Sequence, residues 1–369
     1  MSNKLVFICA ARDFHAMDWY KSAKELLPKK EIYILTDIIE GEGYKKLINN
    51  NDIVFKLILL DRILLQKQSH IGHIWRNLIK LFLFPIQVIL IKRFAKKNPG
   101  AIYHAHSMYY LFLAWAARIP YIGTPLGSDV LITPNRSRLY KFFAVKSLKT
   151  AKAVTVDSIK MKDKVFELSG VNAQIVQNGI DMESINSFLK SHQFSSDTNK
   201  SVLSIRGLTP LYRIEAILTA RNLSLKYSDI PITFIYPFQE TEYAKKLLPL
   251  FKPFDKNLGR VERLKMYELL SGSKLVISIP SSDSSPRSVY EAIFCGCSVV
   301  IAYHPYYDVL PQCMKSRIIL ADLDDNEWFD KAVEASNVLI EKPYFPSEEA
   351  LNMFDQKRSF RIMEKLLFN

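Results

Sequence analysis

The stretch KLVISIPSSDSSPRSVYEAIFCGCSVVIA, residues 274–302, gathers the residue types that handle anions and hydroxyls. An apolar run, Leu275–Ile279, reads as a buried strand that ends at Pro280, gives way to a Ser/Asp loop, and enters a helix beginning near Pro286 and breaking at Gly296. Small polar residues ahead of a helix leave free N–H groups aimed at the loop, and the helix dipole adds positive potential there. Ser284, Ser285, Pro286, Arg287 and Ser288 are therefore candidate contacts for a diphosphate. Asp283 and Glu291 lie eight positions apart, one in the loop and one about one and a half turns into the helix. Both are candidates to bond ligand hydroxyls, with the alternative that Asp283 or Ser285 caps the helix and Glu291 is a surface or inter-helix residue. A second candidate is VLSIRGLTPLYRIEAIL, in which Arg206 and Arg213 follow a strand and form a plausible clamp for phosphate oxygens. Arg213 has the plainer alternative of a surface helix residue.

These residues need strands to end beside one another. Short β-branched or aromatic runs alternate with longer helical stretches throughout, which predicts βαβ units and mainly parallel sheets. One series of strands is expected at Leu5–Ala10, Ile32–Thr36, Ile53–Leu60, Ile102–His106, Tyr121–Thr124 and Ala153–Val156, and a second at Val202–Ile205, Ile232–Ile235, Leu275–Ile279, Val299–Ala302 and Ile318–Leu320. Two doubly wound domains fit this better than one, with residues 1–186 in the first, a polar linker at 187–201, and 202–350 in the second. Residues 351–369 are expected to form a helix that packs back on the first domain. With two such sheets the natural ligand site is a cleft between domains, lined by residues just after strands.

The 369 residues are 49% hydrophobic and 24% charged, which excludes a disordered chain. The net charge of +13 is lopsided: residues 1–185 hold 27 basic against 15 acidic side chains, and the remainder 23 against 22. Between Asp61 and Asp129 there is no acidic residue, so the first domain points to an anionic partner. Within that region HIWRNLIKLFLFPIQVILIKRFAKK is too short and too interrupted to span a bilayer, and reads as a helix lying in a membrane interface. Trp75, Arg76, Lys92, Arg93, Lys96 and Lys97 are its candidate lipid contacts, the alternative being a buried helix pair with a basic solvent face. Nucleic acid is not an expected partner, because the basic residues lie in an apolar run without a stacking platform. The four cysteines have no metal-ligand spacing, the N-terminus lacks a signal-peptide pattern, and a cytoplasmic protein is expected.

Residues 274–302 resemble the Glu-x7-Glu region of retaining glycosyltransferases of family 4, with Asp283 in place of the first Glu. Three further stretches agree in order and spacing. VLSIRGLTPLYRIEAIL is similar to the family's first C-domain strand and its donor-diphosphate loop, which puts Arg206 on the Arg position and Arg213 near the Lys position. KNLGRVERLKMYELLSGSKLVISIPSSD resembles the segment whose strand end approaches the nucleobase through its backbone, here at Gly259 and Arg260. The passage ending at Asn178–Asp181 resembles the turn that closes the N-terminal domain. The match runs from about Ala101 to Asp308.

The resemblance implies an α/β chain of the GT-B fold, two doubly wound Rossmann-like domains facing each other across a cleft. It implies transfer of a sugar with retention from a nucleotide-sugar, with UDP favoured over GDP, to a glycan acceptor, and no cofactor or metal. YIGTPLGSDVL resembles the stretch facing the reacting sugar; Ser128 and Asp129 are kept, but Leu126 stands where many members have His. ICAARDFHAMDWY lacks the glycine-rich loop common after the first strand, leaving Arg12 and His106 as acceptor-side candidates. Of His104 and His106, only one ring is expected to face the cleft. Joined to the basic apolar surface, the acceptor is expected to be linked to polyprenyl diphosphate, with the protein peripheral to the inner face of a bacterial membrane. Alternatives are a sugar-nucleotide epimerase, needing an acid and a base among Asp13, Asp18 and Asp129, and a non-catalytic partner subunit.

Overall fold

The computed structural model describes residues 3–12, 14–60, 70–191 and 201–368, with the side chains of Phe14, Glu42 and residues 70–77 outside that description. The chain divides into two units, Met1–Asn178 with Gln356–Asn369, and Gly179–Asp355.

The first unit carries strands β1 (Lys4–Cys9), β2 (Glu31–Thr36), β3 (Ile53–Lys56), β4 (Ile102–His106), β5 (Tyr121–Thr124), β6 (Ala153–Val156) and β7 (Gln174–Ile175). They form one parallel sheet in the order β3-β2-β1-β4-β5-β6-β7. Leu5–Cys9 are all buried, as a strand covered on both faces requires. On one face Val88, Ile91 and Phe94 of helix His70–Lys97 join helices Met108–Ala117 and Arg138–Thr150. On the other, helix Phe14–Leu26 meets helix Gln356–Phe368, with Trp19 and Phe360 ring centroids 6.4 Å apart.

The second unit carries β8 (Ser201–Ser204), β9 (Ile232–Ile235), β10 (Lys256–Gly259), β11 (Ser273–Ser278), β12 (Ser298–Ile301) and β13 (Ile318–Leu320). These strands too are parallel, in the order β10-β9-β8-β11-β12-β13. In each unit the order runs outward from the first strand and then reverses, so β1/β4 and β8/β11 are topological switch points.

The unit boundaries differ from those expected. Residues 192–200 of the anticipated linker lie outside the described residues, while 187–191 continue helix Met182–Ser191. That helix buries Ile185 and Phe188 in the core of the second unit with Leu203, Tyr267 and Val276, so the second unit starts at Gly179. Likewise helix Glu348–Phe354 gives Ala350 and Phe354 to that same core, and the segment that joins the first unit starts at Gln356. Among the described residues no helix is long and apolar enough to cross a membrane.

Candidate functional site

At the switch point of the second unit, β8 and β11 are hydrogen-bonded neighbours, so the loops leaving them must run side by side. Arg206, two residues past β8, donates from Nε to Ser278 Oγ at 2.7 Å and from Nη2 to Asp283 Oδ2 at 2.6 Å. Asp283 Oδ1 accepts from the Ser284 N–H at 2.9 Å. Arg206 and Asp283, expected to serve separate parts of a ligand, are thus partners of each other. Nη1 of Arg206 is left with no partner among the described residues. The loops are laced further by the Ser281 N–H, which donates to the Leu211 carbonyl at 2.8 Å, and by His304 Nε2, 3.0 Å from the Pro280 carbonyl.

A cavity of about 250 Å³ opens at the ends of β8, β9 and β10, lined by Arg206, Tyr212, Phe238, Arg260 and Met266 among others, with Ser288 reaching it from the helix that follows β11. Its walls are aromatic and aliphatic, with two guanidinium groups and a hydroxyl placed among them. Tyr212 lies under the Arg206 guanidinium at 5.5 Å and 6.2 Å from the Phe238 ring. Gly207 lets the Phe238 ring lie close over the backbone, since a Cβ there would come within 2.7 Å of the ring and push it aside. Gly259 ends β10 with φ of +62°, and its carbonyl accepts the Tyr236 N–H at 2.9 Å, which turns Arg260 and Val261 to the cavity.

The helix expected after the Ser/Asp loop is Arg287–Phe294, with Pro286 at its N-cap. The N-cap position therefore falls on Pro286 rather than on Asp283 or Ser285, and the Ser285 carbonyl takes the Arg287 N–H at 3.0 Å. Ser288 lines the cavity from this first turn. Glu291, one turn deeper, is only 6% exposed and is not among the lining residues. It faces Tyr267, whose hydroxyl is pushed up by burial and further by the Glu291 charge. Arg213 also lies outside the lining: it stands at φ +52° just before helix Ile214–Leu223, and its side chain has no partner among the described residues. A non-glycine residue in that region costs on the order of 1 kcal/mol or more, so the loop holds Arg213 there against a local preference.

The switch point of the first unit is built differently. Asp129 Oδ2 accepts from the Met108 N–H at 3.0 Å and the Leu126 N–H at 3.1 Å, so it caps the helix that follows β4 and its own short helix Gly127–Leu131. Burial pushes its carboxyl up, opposed by these hydrogen bonds. Ser128 is exposed, with its carbonyl taken by Ile132 N and Thr133 Oγ1. His104 and His106, two apart on a strand, share a face, so the expectation of only one ring toward the ligand side fails; their centroids are 6.2 Å apart and both are buried. His104 meets Thr124 Oγ1 at 2.8 Å, and burial lowers its pKa to about 3; burial likewise lowers that of His106.

Arg12 follows β1 and is half-buried. The glycines missing after β1 come instead from the segment after β2: the Gly43 N–H donates to the Arg12 carbonyl at 3.1 Å, and a Cβ at Gly41 would come within 2.5 Å of Arg12 Cβ. Lys92, Arg93, Lys96 and Lys97 are exposed, whereas the Trp75 and Arg76 side chains lie outside the described residues, as does Asp13. Gly207, Tyr212, Phe238, Met266 and Ser278 were not anticipated. Gly207 had a signal, a glycine two past a buried strand; the aromatic pair becomes adjacent only when β8 pairs with β9.

No protein-family model matches the chain, and no curated protein does. Solved structures do match. Anabaena HepE, solved with UDP and glucose, is 15% identical, with 99% of each chain covered and a TM-score of 0.68. Sucrose-phosphate synthase of Thermosynechococcus elongatus is 10% identical over 98% of each chain, with a TM-score of 0.73. A Listeria monocytogenes protein described as a putative UDP-N-acetylglucosamine 2-epimerase is 11% identical over 99% of this chain and 95% of that one, with a TM-score of 0.61. The chain has the GT-B fold. At 10–15% identity the likeness carries the fold alone, and proteins described with different activities share it.

Proposed function

We propose that the protein is a retaining glycosyltransferase that moves a sugar from a nucleotide-sugar to a hydroxyl of a glycan acceptor carried on polyprenyl diphosphate, in the assembly of a bacterial surface polysaccharide. The observation that carries this reading is the cavity at the ends of β8, β9 and β10, beside the β8/β11 switch point, with Arg206 Nη1 unpartnered in its wall. The UDP in the Anabaena HepE structure supports a UDP-sugar over a GDP-sugar. The base lies between Tyr212, Phe238 and the backbone at Gly259 and Arg260, and the diphosphate lies toward Arg206, Arg213 and the Ser284–Ser288 turn. Asp283 aligns the Arg206 guanidinium.

As the bond from the anomeric carbon to the diphosphate oxygen breaks, negative charge grows on the leaving phosphate while the sugar becomes oxocarbenium-like. Arg206, Arg213 and the first turn of the helix stabilise that charge, each preorganised donor contributing about 2–4 kcal/mol. The acceptor hydroxyl bonds to the same face, and its proton passes to the departing phosphate oxygen, without a metal ion. The acceptor approaches beside Arg12, and the protein works at the cytoplasmic face of the membrane.

A panel of nucleotide-sugars in thermal-shift and hydrolysis assays tests the reading. A matched donor at a hundredfold excess over Kd stabilises by about 2.7 kcal/mol, a shift of several degrees that Arg206→Ala abolishes. Absence of any nucleotide-dependent shift overturns it. An epimerase would interconvert the sugar without acceptor; against this, Asp18 is 1% exposed and Asp129 is engaged as a helix cap.

A further inference from the structure

We infer that the outward face formed jointly by helices His70–Lys97 and Arg138–Thr150 docks the protein onto an anionic lipid bilayer. The first helix buries Gln87, Val88, Ile91 and Phe94 against its unit and leaves Leu81 63% and Phe82 78% exposed, with Leu78, Ile86 and Ile89 exposed beside them. The second buries Ala144, Ser147 and Leu148 and leaves Leu139 63% and Phe142 52% exposed. The two helices meet through Phe84 and Phe143, whose ring centroids are 6.5 Å apart, and both rest on helix Met108–Ala117, Phe84 against Tyr109 at 6.3 Å and Phe143 against Phe112 at 5.8 Å. Exposed apolar side chains scattered singly need no explanation, but here they cluster on two adjoining helices.

Charge selects the occupant. Residues 62–156 contain 15 Lys and Arg and a single acid, Asp129, whose carboxylate is turned to the Met108 and Leu126 backbone. Neither helix holds any acid, while Lys80, Lys92, Arg93, Lys96 and Lys97 stand on one and Arg138, Lys141, Lys146 and Lys149 on the other. A second copy of this face would bring like charges together, so self-association is disfavoured. A bilayer with anionic headgroups takes the apolar side chains into its interface and pairs the basic ones with phosphates. The second helix was not expected to contribute, because its residues 138–150 are separated in sequence from the basic apolar run.

This deepens the lipid-linked-acceptor reading, and the two are scored separately: nucleotide binding by thermal shift, docking by cosedimentation of the full chain with vesicles. Vesicles containing phosphatidylglycerol should bind at least about tenfold more tightly than phosphatidylcholine alone, and raised salt should weaken the binding. Phe142→Asp should weaken it about tenfold and Phe82→Asp with Phe142→Asp further, with unchanged melting and nucleotide shift, while Leu225→Asp on the second unit, where Leu225 is 98% exposed, should change nothing. Equal binding to both vesicle types, wild-type binding by Phe142→Asp, or a dimer in light scattering that Phe82→Asp dissolves would overturn the proposal. A nucleotide shift with no vesicle binding sinks the docking and leaves the transferase reading standing.

Discussion

Arg206 with Asp283 and Arg221 with Asp255 use the same two side chains and reach the same 2.6 Å contact at opposite ends of one sheet. The side chains of Arg221 and Asp255 are fully buried beside the starts of β9 and β10. Their bidentate pair is completed by the Ile230 carbonyl, Asn222, and the Ile232 and Lys252 N–H groups. Burial raises the Asp255 pKa, but Arg221 and those N–H groups outweigh it and hold the carboxyl below its usual range. Arg206 and Asp283 stand at the ends of β8 and β11, 12% and 15% exposed, and Nη1 is spare. A saturated buried pair supports the fold; an unsaturated one at a switch point is arranged for a ligand.

The largest expected effect separates the two. Arg221→Ala leaves the Asp255 charge buried without its partner and should cost about 3–5 kcal/mol in urea unfolding, with donor binding per folded molecule retained. Arg206→Ala should instead lower kcat by about 10²–10³-fold while the melting temperature stays near wild type. A loss of stability from Arg206→Ala as large as that from Arg221→Ala would erase the distinction. Asp283→Asn keeps an acceptor for Ser284 N–H but frees the guanidinium, and about a tenfold fall in kcat/KM is expected. Arg213→Gly relieves the positive φ, so stability should hold or rise while transfer falls; unchanged transfer would remove Arg213 from the diphosphate site. The smallest effect is acid sensitivity. Because the folded Asp255 pKa is lowered, its contribution is present above the unfolded value near 4 and lost as pH falls through the folded value, a slope that Asp255→Asn should flatten.

The parallel strands were legible as short β-branched runs, and eleven expected segments correspond to β1–β6, β8, β9 and β11–β13. β7, two residues long at the sheet edge, carries too little pattern to stand out. The Arg206 loop and the Ser/Asp loop were legible because glycine, proline and serine clusters punctuate strand ends. The aromatic wall of Tyr212 and Phe238 was not, since neither type is distinctive in a loop. The placing of Asp129 with reacting groups followed a motif; its use as a helix cap depends on the approach of Met108, 21 residues earlier in the chain.

Local sequence determined where strands and helices begin, because hydrophobic period and turn residues act over a few positions. It also determined the charge asymmetry between the halves. Tertiary structure decided which loops become neighbours: β8 pairs with β11 across about seventy residues, which brings Arg206 to Asp283, and β8 pairs with β9, which raises the aromatic wall of the cavity. It likewise joined two basic helices into one face, which no local periodicity encodes.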